Sequence, residues 1–101
     1  MMYLVAYELR PSRDATDLIN ELKAFPGWSH YIDNVWMIIS GEQVPQVRDR
    51  LRKHLNLDPE GNPTLKKSDL LIIVQVTPDA GTPDGLLPAA GWDWINRSRA
   101  L

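Results

Sequence analysis

The chain has 101 residues, of which 44% are hydrophobic and 24% charged, with 11 basic against 13 acidic residues for a net charge of −2. That length fits one domain with one core, and the charge balance argues against a protein that coats nucleic acid by bulk charge, although a local basic patch is compatible with it. There is no cysteine, so disulfides, thiolate metal sites and cysteine nucleophiles are excluded.

Met1-Met2-Tyr3-Leu4 lacks the basic segment and small-residue cleavage site of a signal peptide. No apolar run approaches membrane-spanning length. A cytoplasmic location is the expectation.

Residues 3–9, YLVAYEL, are short, apolar and β-prone, as a central strand should be. Even and odd positions are both largely apolar, so both faces are expected to meet other parts of the protein. A helix follows, with Ser12 or Asp14 as its cap and Ala15, Leu18, Ile19, Leu22 and Phe25 as its apolar stripe. Pro26-Gly27 stops it.

Residues 28–33, WSHYID, alternate, which places Trp28, His30 and Ile32 on one side and Ser29, Tyr31 and Asp33 on the other. Asp33-Asn34 is turn-prone, and residues 35–40, VWMIIS, complete a hairpin. A second helix is expected over residues 44–55, with Pro45 in its first turn and Val44, Val47, Leu51 and Leu55 facing the core. Arg48, Arg50, Arg52 and Lys53 point away from that core. Asp58-Pro59-Glu60-Gly61 marks a turn in a polar excursion that ends near Ser68. Residues 70–76, LLIIVQV, form the most apolar strand, residues 77–88 read as loop, and residues 91–99 as a short helical element.

The order β, α, β, β, α, β predicts one α+β domain over residues 1–101, a ferredoxin-like sandwich with two helices on one face of a four-stranded antiparallel sheet. The tail, residues 91–101, docks on it, with Trp92 and Trp94 as packing anchors that point about 200° apart on a helix, so that one docks on the core and the other caps a seam. Tyr7, Trp36 and the fourth strand offer more apolar surface than two helices cover. The surplus points to a homodimer, or to partial cover by the tail tryptophans.

Three groups of candidate residues follow. Glu8 at the end of the first strand is the candidate catalytic or magnesium-ligating carboxylate, with a solvated strand-end charge or a pair with Arg10 as the ordinary alternative. His30 and His54 sit on different elements and belong to no zinc-ligand set. His54 suits the negative end of the second helix. Arg48, Arg52 and Lys53, with Arg50, Lys66 and Lys67 nearby, are the candidate phosphate contacts, the alternative being the solvated face of an amphipathic helix. Phosphate loop, dinucleotide fingerprint and nucleophile elbow are all absent from the sequence.

Three segments, MYLVAYELRPSRDATDLINELKAF, WSHYIDNVWMI and GLLPAAGWDWIN, resemble the small bacterial SinR-family proteins, which are similar to the CRISPR-associated Cas-two and VapD proteins. The residues 57–67 interrupt the likeness as an insertion. The resemblance implies a ferredoxin-like homodimer. Its implied roles are a binding, scaffold or regulatory module associated with nucleic acid, a magnesium-dependent nuclease, or a toxin–antitoxin component of the VapD type. The family's metal-binding aspartate corresponds to Glu8 here, and its hairpin serine falls near Asn34. The leading expectation is the binding module, without a resident cofactor.

Overall fold

β1, Met2–Glu8, is an inner strand of the sheet with a neighbour on each edge. It pairs antiparallel with β3, Val35–Ile39, on one side and with β4, Leu70–Val76, on the other. β2, Gly27–Ile32, pairs antiparallel with β3 and forms the other edge, giving the order β2-β3-β1-β4. Among the described residues, three helices complete this α+β fold: α1, Thr16–Lys23, α2, Val44–Arg52, and α3, Ala89–Ser98. The computed structural model describes residues 1–9, 14–55, 69–77 and 85–98. Ser12, the 57–67 insertion, Lys66 and Lys67 lie outside them, as do Arg10 and the end of the tail.

Register sorts the side chains into two faces. Tyr3, Val5 and Tyr7 of β1 stand with Trp36 and Ile38 of β3. These five pack against Leu18, Leu22 and Phe25 from α1 and its C-terminal end and against Val47 and Leu51 of α2 in one buried cluster. Both helices therefore contribute to the same core. Tyr7 and Trp36 are consumed by it, which corrects the expectation that they belong to an uncovered surplus.

The start of α1 differs in detail from the expected cap. Ala15 occupies the cap position, and Asp14, one residue earlier, accepts hydrogen bonds from the Thr16 amide and hydroxyl. These bonds hold the Asp14 carboxyl below its ordinary pKa. α2 ends at Arg52, short of residue 55, and its N-terminus carries a reciprocal Gln43–Gln46 capping pair.

β2 begins one residue early, at Gly27, which faces Ile39. A Cβ at Gly27 would stand 2.9 Å from the Ile39 Cδ1, so the glycine permits this close approach. The expected alternation holds for Trp28 and His30 but fails at Ile32. A register shift between His30 and Ile32 sets Ile32 opposite Val35, on the face of Met37 and Ser29.

α3 packs on that second face. Its buried positions are Gly91, Ile95 and Ser98, one side of a helix at i, i+4 and i+7. A Cβ at Gly91 would lie 3.0 Å from the Tyr31 ring, and Ile95 closes an apolar cleft with Met37, Val35 and Ser29. Trp92 and Trp94 are only half-buried, so the anchor is Ile95 and neither tryptophan. Across the sheet, the second-face residues of β4 stay uncovered: Leu70, Ile72 and Val74 are all exposed, Ile72 at 58%.

Candidate functional site

Two groups of functional side chains stand on the face of the sheet that α1 and α2 cover. The first lies where α1 and α2 meet. Arg50 donates to Glu21 of α1 at 3.0 Å and to Glu42 just before α2, and its guanidinium sits 3.8 Å from the Phe25 ring centroid. The Nε2 of His54 lies 3.2 Å from the other oxygen of Glu21. The Glu42 carbonyl accepts the Tyr3 hydroxyl at 2.6 Å.

The electrostatics follow from this geometry. Burial works to raise the Glu21 carboxyl, but hydrogen bonds and charge from Arg50 and His54 outweigh it and hold the pKa below its ordinary value. Arg50 is pushed up: burial opposes its charge, and Glu21 and Glu42 more than compensate. The Tyr3 phenol is raised by burial and then by the Glu42 charge. Every charged partner in the group is satisfied, so this is a clamp between two helices.

Arg50 was expected among the solvent-facing cations of the second helix. The structure instead turns it inward, because two acids from separate segments and an aromatic ring offer it a better environment than water. Arg48 pairs with the neighbouring Asp49 at 3.3 Å on the surface. Arg52 and Lys53 are exposed. The basic face is thus narrower than its sequence.

The second group occupies the edge strand β2. His30 lies flat on Trp36, with centroids 3.9 Å apart and planes at 12°. Trp28 meets the same indole at 5.4 Å and 45°. The ammonium of Lys23, at the end of α1, is 5.4 Å from the Trp28 ring centroid. The His30 Nε2 is 2.9 Å from the Asp33 carbonyl, which can only accept, so Nε2 carries a proton. β pairing explains the assembly: Trp28 and His30 share a face by the two-residue period, and Trp36 is the cross-strand partner of His30. The alternation of WSHYID already placed Trp28 with His30. What it missed was Lys23, which the end of α1 supplies.

Glu8 is exposed at the end of β1, opposite Leu70 on the second face. It is separated by the sheet from both groups above. Among the described residues, no group of three or more histidine or acidic side chains is placed to hold a metal ion. Ser29 and His30 point to opposite faces. No helix among the described residues is long and apolar enough to cross a membrane.

Comparison with protein-family models, with curated proteins and with solved structures gives no match for this chain.

Proposed function

We propose that this protein is a ferredoxin-like homodimer that works in the cytoplasm as a binding or scaffold module associated with nucleic acid, related to the Cas-two and VapD proteins. The order β2-β3-β1-β4, antiparallel at every step, supports the ferredoxin-like reading, as does the core shared by α1 and α2. In that layout each of the two helices crosses over between parallel strands that flank a third.

The observation that carries the dimer is β4. It is an edge strand of seven residues with no charge, proline or bulge, and Leu70, Ile72 and Val74 are exposed along one face. Natural monomers rarely leave such an edge unguarded. A second copy related by a twofold axis would cover the same stripe on both chains. No residue is assigned a catalytic role; Glu8 stands beside this stripe as the weak hydrolytic candidate, and the module needs neither it nor a metal.

Light scattering at micromolar concentration tests the reading. The expected particle is twice 11.5 kDa, and Ile72→Lys should reduce it to one chain without loss of helical and strand signal. A wild-type protein that stays at one chain over the whole accessible concentration range would overturn it.

A further inference from the structure

The rings at the edge of β2 form a graded stack. Trp36 is 1% exposed, Trp28 is 41% exposed, and His30 is also open to solvent. A buried indole therefore supports two rings that water reaches. Both outer rings are held in place. His30 is fixed by its stack on Trp36 and by its hydrogen bond to Asp33, and Trp28 is braced by Trp36 with the Lys23 ammonium over its ring. Ring faces immobilised in advance lose little rotamer freedom when a ligand settles on them.

The chemistry that fits is a flat ring carrying a negative charge. Aromatic faces stack on aromatic faces irrespective of sequence, and Lys23 places a cation within reach of the stack. Among the described residues, the alternative basic surface on α2 has no exposed aromatic ring: Phe25, beneath Arg50, is buried. We propose that Lys23, Trp28 and His30 form a nucleotide-stacking site on the β2 edge, with Trp36 as its floor and Lys23 meeting a phosphate. This rests on the binding-module reading and names what the module binds. Single-stranded nucleic acid and a free mononucleotide share the required chemistry. A duplex does not, because its base faces are stacked internally.

The test uses the full chain with five probes: fluorescent eight-nucleotide single strands of RNA and of DNA, the matching duplex, and uridine and adenosine monophosphates. Strand affinity is read by anisotropy, and mononucleotide binding by shifts of the tryptophan indole N–H resonances. Trp28→Ala should weaken binding by roughly 5- to 150-fold, the range for loss of one stacked base, while Trp28→Phe keeps most of it. Lys23→Glu should lower the log–log salt slope of strand binding by about 0.7, one phosphate contact. Arg52→Glu should change neither. Tight strand binding with weak mononucleotide binding identifies a strand as the ligand, and the reverse order a free nucleotide.

Absence of binding by every probe, preference for the duplex, or binding indifferent to both Trp28→Ala and Lys23→Glu would overturn the site. Should Trp28→Ala unfold, Trp28→Phe and the exposed Lys23→Glu decide the matter alone. Light scattering on the same samples keeps the two readings apart. A dimer that binds nothing loses the site only, and a monomer that binds through Trp28 loses the dimer only.

Discussion

Arg50 of α2 donates to the Glu21 carboxylate of α1 at 3.0 Å while its guanidinium lies over the Phe25 ring at 3.8 Å. One side chain thus ties the two helices together electrostatically and seals the edge of the core. Arg50→Met keeps much of the cover over Phe25 but removes the charge. It should cost about 2 kcal/mol, the scale of a hydrogen bond to a charged group plus a carboxylate left short of its partner. Urea unfolding measures it. A change under a few tenths of a kcal/mol would show that the clamp is a surface ornament.

The same contact sets a pH dependence. The Glu21 carboxyl is held below its ordinary value of 4.5, so it binds a proton less readily in the folded than in the unfolded chain. Its contribution is therefore fully present above pH 4.5 and is lost as pH falls through the depressed folded value. Melting temperature should drop on acidification across that window. In Arg50→Met the drop should be shallower, because the main partner that depresses Glu21 is gone. Parallel curves for the two proteins would mean that other carboxylates govern acid stability.

Much of this architecture was legible in the residues. The six elements of the βαββαβ order and the apolar stripe Leu18, Leu22, Phe25 follow from periodicity alone. Three features did not, each for a physical reason. Arg50 reads as one of four cations on a helix, and its partner Glu21 is 29 residues away, so only folding brings them together. The register shift before Ile32 is a property of the hairpin turn, and Asp33-Asn34 does not specify a turn type as Asn-Gly would. In the tail, tryptophan size drew attention from position: Gly91, Ile95 and Ser98 define the buried side at helical spacing, and two of the three are too small to look like a core.

Ile95 provides the corresponding test. It is buried to within 2% of complete, and it closes the cleft against Met37 and Val35. Ile95→Ala should cost about 2–5 kcal/mol, the cost of emptying a packed aliphatic site. Trp92→Ala and Trp94→Ala should each cost less, since both indoles are half-exposed. Denaturant midpoints of the three variants rank them. Either tryptophan exceeding Ile95 would reverse the assignment of the anchor.

Tyr3 links β1 to the loop before α2 through its hydroxyl, which donates to the Glu42 carbonyl at 2.6 Å. Burial and then the Glu42 charge raise its pKa, so the folded chain favours the neutral phenol. The stabilisation is complete below the ordinary value of 10.0 and is lost as pH rises through the folded value. Tyr3→Phe should destabilise by about 1 kcal/mol at neutral pH and flatten the alkaline limb of the stability curve. Tyrosine absorbance near 295 nm, roughly the phenolate band, follows the ionisation directly. An alkaline limb unchanged in Tyr3→Phe would assign it to other groups.

Trp36 is the largest fully buried side chain, and its indole Nε1 has no hydrogen-bond partner among the described residues. Two terms therefore compete when it is replaced. Truncation opens a cavity, and a full Trp36→Ala should cost about 3–5 kcal/mol. Removing the unpaired N–H returns part of that, since a buried donor without an acceptor costs about 1–3 kcal/mol. Trp36→Phe keeps a flat ring beneath His30 and Trp28 and deletes the N–H, so its net cost should stay within about 1.5 kcal/mol. The outer rings add a second measurement. If Trp36 is their floor, Trp36→Ala should broaden the His30 and Trp28 ring resonances under native conditions, while Trp36→Phe leaves them sharp. A Trp36→Phe protein as unstable as Trp36→Ala would show that the indole N–H is paired after all, and that this position is chosen for its hydrogen bond as well as its size.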